Sequence, residues 1–332
     1  MKIEDFDYEL PKELIAQYPS TKREESRLMV LNRKTQGIEH TKFGNIGDYL
    51  KTGDTLVLNE TKVIPARLIG SRDTGGKVEV FLLKELSPGR WEVLVSPHRA
   101  KKSGLIIRFG PDFEGKVEIN NGKTNFIFSD IENLEGKLEK YGRVPLPPYI
   151  KRETVLEDKE RYQTVYAKIP GACAAPTAGL HFTQEILDKL SSNGITVTKI
   201  LLHTGIGTFK PIKCEEIETH KMETEYYEVS EKAIQEIKKA NRIVAVGTTT
   251  VRTLENLDLS LESSKGWTDK FIYPPYKFKL VDALITNFHL PRSTLLLLVS
   301  AFAGREFILK AYETAIEQGY RFYSYGDAML IL

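Results

Sequence analysis

Arg242-Ile-Val-Ala-Val-Gly-Thr-Thr-Thr-Val-Arg252 is an apolar, β-branched run, a glycine, three threonines and then a helix-like segment through Leu254. A buried strand that turns through glycine into a helix is the joint of an α/β unit. Three further stretches end in the same residue types. Lys168-Ile-Pro-Gly-Ala-Cys-Ala-Ala-Pro-Thr-Ala-Gly-Leu-His-Phe-Thr183 packs small residues, two prolines and His181 together, with scarcely a charge after Lys168. It reads either as backbone that a ligand approaches closely or as a tight turn in a packed core. Thr183 then caps a short helix whose Ile186, Leu187 and Leu190 share one face, and Gly194 stops it. The strand over 195–202 runs into His203-Thr-Gly-Ile-Gly207, and Leu280-Val-Asp-Ala-Leu-Ile-Thr-Asn-Phe-His-Leu-Pro291 ends in Thr, Asn and His. Ligands of open α/β sheets sit beyond the carboxyl ends of the strands, so four such ends predict one shared site.

Working outward, the composition changes near residues 63 and 150. Between them Lys77–Leu83, Trp91–Val95, Leu105–Phe109, Lys116–Ile119 and Asn125–Phe128 each suit a strand. Gly75-Gly76, Pro88-Gly89, Gly110-Pro111 and Asn121-Gly122 punctuate them. Short, regularly spaced strands of this kind predict a small antiparallel barrel. After 150 strands alternate with helices, two of them over Ser230–Ala240 and Arg305–Gln318, the second with an apolar stripe from Phe307 to Ile316. The polar segment Asp258–Lys270 reads as a loop. The expected architecture is an α/β main domain with a mixed or parallel sheet, built from 1–62 and 150–332, with an all-β barrel-like domain over 63–149 inserted into it.

The bulk properties of the 332 residues set limits. Forty-seven basic residues against 45 acidic ones leave +2, so no global charge announces nucleic acid, although local patches suffice for it. Cys173 and Cys214 are too few for a disulfide framework or a thiolate metal site, and no His, Cys and carboxylate cluster has metal-ligand spacing. The N-terminal Met1-Lys-Ile-Glu-Asp5 is unlike a signal peptide, and the longest apolar run, Leu295–Ala303, is half a membrane span. The expectation is a soluble cytoplasmic protein, monomeric by default, without a membrane or an obligate protein partner.

Longer words in the chain carry a family resemblance. Asp5-Phe-Asp-Tyr-Glu-Leu-Pro11, Asn59-Glu-Thr-Lys-Val-Ile-Pro-Ala-Arg-Leu68, Gly142-Arg-Val-Pro-Leu-Pro-Pro-Tyr-Ile150 and Tyr162-Gln-Thr-Val-Tyr166 run through its first half. Ala174-Ala-Pro-Thr-Ala-Gly-Leu-His-Phe182, Gly247-Thr-Thr-Thr-Val-Arg252, Thr286-Asn-Phe-His-Leu-Pro291 and Tyr320–Leu330 follow. With these the chain resembles the S-adenosylmethionine:tRNA ribosyltransferase-isomerases nearly end to end. It departs from their pattern at Cys173 and Thr204, both still small.

The resemblance implies an enzyme that transfers and isomerises the ribosyl unit of S-adenosylmethionine, a consumed co-substrate. The acceptor is 7-aminomethyl-7-deazaguanine at the tRNA wobble position; adenine and methionine leave, and epoxyqueuosine-tRNA forms. Such chemistry asks for a general base, an acid for the departing adenine and a dry site. His203, at a strand end beside Gly205, is named as base, with His181 and His289 as alternates or orienting groups. Asp282, inside an apolar run, either pairs with a buried arginine such as Arg252 or shares in proton transfer; Asp327 invites the same two readings. Pro176, Thr177, Ala178 and Gly179 are expected to wall the S-adenosylmethionine site, together with Gly205 and Asn287. Thr248, Thr249 and Thr250 either meet its carboxylate at a helix start or simply cap that helix, and Thr208 and Phe209 are secondary candidates. For the tRNA backbone the candidates are Arg99, Lys101 and Lys102 on the inserted domain, then Arg143, Lys151 and Arg152; aromatic stacking for a base is sought at Tyr273–Tyr276 and Tyr323–Tyr325. A methyltransferase using the same co-substrate would carry an early GxGxxG-type loop, which this chain lacks, and a non-catalytic tRNA-binding module would not need these strand ends. A nucleotide hydrolase would add a P-loop lysine to Gly247-Thr-Thr-Thr250.

Overall fold

Val244, Ala245 and Val246 lie in the middle of a nine-stranded sheet in the computed structural model, which describes residues 1–205, 207 and 211–332. The N-terminal segment supplies β1 (Arg27–Asn32), β2 (Gly37–Lys42) and β3 (Asp54–Asn59). Next come β4 (Thr61–Val63) and the strands β5 (Arg67–Ser71), β6 (Lys77–Ser87), β7 (Arg90–Ser96), β8 (Ile106–Gly110), β9 (Phe113–Asn120) and β10 (Lys123–Phe128). The chain returns through β11 (Gly142–Arg143) and β12 (Ile169–Ala172) to β13 (Thr196–Leu202), β14 (Glu225–Val229), β15 (Arg242–Val246), β16 (Ser264–Thr268), β17 (Ala283–Asn287) and β18 (Ala328–Ile331). Its helices are α1 (Leu134–Tyr141), α2 (Asp158–Arg161), α3 (Gln184–Ser192), α4 (Glu231–Lys238), α5 (Thr248–Leu254), α6 (Thr294–Ala303) and α7 (Arg305–Glu317).

The large sheet runs β16-β14-β13-β3-β15-β17-β18-β1-β2. β13, β3, β15 and β17 are parallel neighbours, and antiparallel β14, β16, β18 and β2 make the sheet mixed. Its central strands β3 and β17 are buried at every position because both faces are covered. Val57, Ile243, Ala245 and Leu284 pack toward α4, α6 and α7, while Leu56, Leu58, Val244, Val246 and Ile285 pack toward α3. The caps follow the sequence: Thr183 accepts from the N–H of Ile186 and Ser230 from that of Ala233, both at 3.3 Å. The run 295–303 is α6, buried against α7 rather than exposed.

β5-β6-β7-β10-β9-β8 form an antiparallel sheet that closes on itself where Ser71 of β5 pairs with Arg108 of β8. Val78, Val80 and Leu82 alternate inward with Trp91, Val93 and Val95. At the closing seam a Cβ on Gly70 would stand 2.5 Å from the carbonyl oxygen of Arg108, so only glycine lets the two strands meet. β5, short and carrying that glycine, is not among the strands expected from the sequence. The expected loop over 258–270 contains β16 at 264–268, antiparallel to β14. An edge strand bonds along one side only and keeps the other in water, so Ser-Lys-Gly-Trp-Thr has no apolar alternation to reveal it.

Candidate active site

The parallel strands β13, β3, β15 and β17 end together, and the chain order changes side between β3 and β15, where crevices open in such sheets. Asn59, the last residue of β3, ties this edge. Its Nδ2 donates to Leu202 O at 2.9 Å, and its Oδ1 accepts from the N–H groups of Leu202 and Thr61. Thr61 is thereby set beneath His203, whose Nδ1 lies 2.8 Å from Thr61 Oγ1. The His203 N–H donates to Tyr226 O at 2.9 Å and so continues the β13–β14 pairing one residue further. Its Nε2 meets no hydrogen-bond partner among the described residues. Burial lowers the pKa of His203, with Glu228 opposing that effect, so the imidazole is neutral near pH 7.

His203 lies in a cleft of about 730 Å³ between the barrel strands β6 and β7 and the β14–β16 edge of the large sheet. Gly171, Thr204 and Gly205 share its lining. The Gly205 N–H donates to Glu225 Oε1 at 3.0 Å, and the other oxygen of Glu225 takes a hydrogen bond from the buried Arg252 guanidinium. The Arg252 pair therefore holds the backbone just past His203.

A second cluster is a closed polar knot. Asn287 Nδ2 donates to His181 Nε2 at 3.0 Å, Asn287 Oδ1 accepts from Thr177 Oγ1 at 2.9 Å, and His181 Nδ1 lies 2.8 Å from Ser26 Oγ. His289 Nε2 lies 2.9 Å from Thr286 Oγ1. Burial pushes both histidines down to about 3. Both ring nitrogens of His181 are engaged, which suits an orienting group better than a proton acceptor. Gly179 is needed here for room, since a Cβ would overlap the Tyr166 hydroxyl at 2.0 Å.

Other expected residues fall in several places. Ala178 Cβ stands 3.8 Å from where a Cβ on Gly247 would lie, so Pro176–Gly179 is folded over the start of α5. Thr248, Thr249 and Thr250 are buried; Thr250 Oγ1 donates to Val246 O, and Thr249 Oγ1 accepts from Asn59 Nδ2 at 3.5 Å. Asp282 is not buried within its strand. It is exposed just before β17, at the end opposite the site, where Oδ2 accepts from the Ile243 N–H at 2.8 Å, and Glu225 rather than Asp282 pairs with Arg252. Asp327 is buried, bonded to Arg321 and to the Arg27 N–H. Thr208 and Phe209 lie outside the described residues. Arg99 and Lys102 are exposed, Lys101 half-buried, on the turn after β7, and Arg143 and Lys151 also face solvent. Arg152 does not: it grips buried Asp158 with two bonds of 2.7 and 2.8 Å, a structural commitment that leaves it no fork for phosphate. The sequence pattern does not single out Thr61, Glu225, Tyr226 or Trp267. The first lies inside a quoted family word, while the others lie on strands that only the sheet order brings to His203.

Among the described residues no group of three His, Cys, Asp or Glu is placed to hold a metal ion, and no helix is long and apolar enough to cross a membrane.

Comparison with known proteins gives one answer along the whole chain. The family model described as queuosine biosynthesis protein matches residues 3–331. The S-adenosylmethionine:tRNA ribosyltransferase-isomerase of Aquifex aeolicus is 54% identical over 338 residues, and that of Thermotoga maritima 53% identical over 340, each with full coverage of both chains. The crystal structure of the S-adenosylmethionine tRNA ribosyltransferase from Thermotoga maritima superposes with a TM-score of 0.57 at 41% identity, over 99% of this chain and 100% of that one.

Proposed function

The chain belongs to the queuosine biosynthesis protein family, and from that premise we propose that the cleft containing His203 is where it joins its two substrates. It is an S-adenosylmethionine:tRNA ribosyltransferase-isomerase, with S-adenosylmethionine consumed as a substrate. In our reading the acceptor is the aminomethyl nitrogen of 7-aminomethyl-7-deazaguanine at the wobble position, and the products are epoxyqueuosine-tRNA, adenine and methionine. The chain works in the cytoplasm as a monomer. Its catalytic unit is 1–62 with 150–332, and 63–149 is an insertion that supplies the opposite cleft wall and the basic turn at Arg99, Lys101 and Lys102.

The observation that carries the site is His203, a half-buried neutral imidazole with Nδ1 fixed on Thr61 and Nε2 unengaged among the described residues. With Nδ1–H donating to Thr61 Oγ1, Nε2 is an acceptor suited to general-base work. It removes a proton from the ribose 5′ carbon, acidified by the neighbouring sulfonium. Electrons released there break the C4′–O4′ bond, and the O4′ pair expels adenine, protonated as it leaves, as an aldehyde forms at C1′. The acceptor amine adds to C4′ of the resulting vinyl sulfonium, C5′ closes on C1′ to make the five-membered ring, and the new alkoxide breaks the C5′–sulfur bond, forming the epoxide and releasing methionine. Gly205, whose N–H is fixed by Glu225, and the small-residue wall Pro176–Gly179 lie where close backbone approach to S-adenosylmethionine is sterically open. The buried knot of His181, Asn287 and Thr177 positions that wall.

The test follows adenine by chromatography and the tRNA nucleosides by mass, with purified protein, S-adenosylmethionine and precursor tRNA. Adenine and methionine released together, with the tRNA gaining the ribose-derived unit, is the expected result. S-adenosylhomocysteine with a methylated tRNA would replace the reading by methyl transfer, and tRNA binding without co-substrate consumption by a binding module.

A further inference from the structure

His203, Tyr226 and Trp267 stand in one row across three chain segments. Tyr226 and Trp267 are directly opposed partners of β14 and β16, and His203 is bonded to Tyr226 through the backbone. Opposed residues in antiparallel strands project from the same face, and the rings meet accordingly. His203 and Tyr226 are 6.1 Å apart at 23°, and Tyr226 meets Trp267 edge-on at 5.5 Å. All three line the cleft, and the row ends at its rim with Trp267 52% exposed. Across from it the barrel presents Lys84, whose Nζ lies 3.6 Å from the centre of the Trp267 ring. A half-exposed tryptophan on an edge strand, held by a cation from another part of the fold, has no role in either core; it belongs to none of the hydrophobic clusters.

Two buried polar atoms among the lining residues have no hydrogen-bond partner among the described residues: Trp91 Nε1 on the barrel wall and Thr204 Oγ1 beside His203. An indole N–H buried without an acceptor is costly unless a ligand supplies one. The charge of the lining narrows the ligand. Lys123 is paired with Glu92 at 2.9 Å, Glu225 with the buried Arg252, and Lys84 sits over Trp267, so the inner wall leaves few cations for phosphate and favours a base there instead.

We propose that the Tyr226–Trp267 row is the platform on which the acceptor nucleobase, turned out of the RNA strand, stacks against the barrel wall on its way to His203. The inference rests on the cleft being the site of ribosyl transfer. The occupant is a purine-type base. Its face lies on the Trp267 ring with Tyr226 meeting it from the side, its carbonyl edge takes the Trp91 N–H, and Thr204 Oγ1 bonds its remaining polar edge, while the phosphates stay at the rim. Lys84 gives up its place over Trp267 as the base arrives. Base stacking on aromatic rings tolerates many sequences, so the platform supplies affinity and the edge contacts at Trp91 and Thr204 supply selection.

Trp91 and Trp267 are the two tryptophans, so intrinsic fluorescence reports on the proposal directly. Wild type, Trp267→Phe and Trp267→Ala are titrated with an anticodon stem-loop bearing 7-aminomethyl-7-deazaguanine and with the same stem-loop abasic at that position. Binding is read by fluorescence and anisotropy, S-adenosylmethionine affinity by calorimetry, and adenine release at saturating substrates. The base-bearing RNA is expected to quench wild-type emission and the abasic RNA to leave it unchanged. Trp267→Ala should weaken binding of the base-bearing RNA on the order of 10- to 100-fold, with S-adenosylmethionine affinity intact, and Trp267→Phe should restore most of it. Equal quenching by the abasic RNA, or unchanged RNA affinity in Trp267→Ala, overturns the platform. Quenching by S-adenosylmethionine alone overturns it as well, by assigning the row to adenine. Wild type that quenches as expected but releases no adenine leaves the platform standing and refutes the ribosyl-transfer reading instead.

Discussion

Gly171 presses against the imidazole of His203: a Cβ at residue 171 would stand 2.6 Å from Cε1 and 2.7 Å from Nε2. The backbone of β12 is thus the back wall that fixes the ring, and its φ of +150° is one that an L side chain rarely adopts. Gly171→Ala should push the ring off Thr61. A displacement near 1 Å at a reacting group costs about 100-fold in turnover. We expect kcat to fall by that order, with S-adenosylmethionine binding by calorimetry within about twofold of wild type. Unchanged kcat would show that His203 is not the positioned group.

His203→Ala should abolish adenine release while both substrates still bind. In wild type, burial holds the His203 pKa below its ordinary 6.5, so the neutral ring predominates at pH 7. The rate at saturating substrates should level off toward pH 8 and fall on the acid side, as Nε2 takes up a proton. A rate still climbing above pH 8 would assign the base to another group.

His181 and His289 make stability depend on pH with a definite sign. Both are held at about 3 in the folded chain, against 6.5 when unfolded. Between those values the unfolded chain binds more protons, so stability is full above pH 6.5 and is lost as the pH falls toward 3. Each histidine contributes a slope of about 1.4 kcal/mol per pH unit within the window. Urea unfolding of wild type and His181→Gln at pH 7 and pH 5 should show that the variant lacks one such slope; parallel curves would contradict it.

Arg252 and Glu225 are a buried pair, with side chains only 3% and 6% exposed. Removing one partner strands the other charge, so Arg252→Met should cost about 3–5 kcal/mol in urea unfolding. Because Glu225 also fixes the Gly205 N–H, Glu225→Gln should strand Arg252 at a similar cost in stability and in addition lower kcat. Equal effects of both changes on stability and none on kcat would reduce the pair to scaffolding.

Replacing Arg99, Lys101 and Lys102 together by Ala should weaken tRNA binding and flatten its dependence on salt, by about 0.7–0.9 in the logarithmic slope for each phosphate no longer neutralised. Arg152→Ala should leave that slope alone and lower the melting temperature, because it strands Asp158.

How far the sequence reveals this molecule depends on the scale of the pattern. Ile243–Val246 and the alternation of Val78, Val80 and Leu82 announce a doubly covered sheet and a barrel, because burial imposes its period on consecutive residues. β16 escapes because an edge strand has no such period, and Asp282 misleads because one residue's shift along a strand separates the buried run from its exposed start. The histidines at strand ends are visible in the chain, but their division into a cleft and a closed knot is not. That depends on Thr61, which bonds His203 itself, and on Asn59 and Glu225, which bond its neighbours Leu202 and Gly205, all of them distant in sequence.

Cys173 belongs to the loop beside His203, yet it is buried in the barrel core, where its thiol donates to Leu82 O at 3.0 Å and lies 3.3 Å from Leu83 O. Burial pushes its pKa up to about 12, so almost none of it is thiolate at neutral pH. A thiol-alkylating reagent therefore reaches it only at moments when the barrel wall and the loop part. The rate of that labelling is a clock for the seam, and a base-bearing RNA bridging Lys84 and Trp267 should slow it.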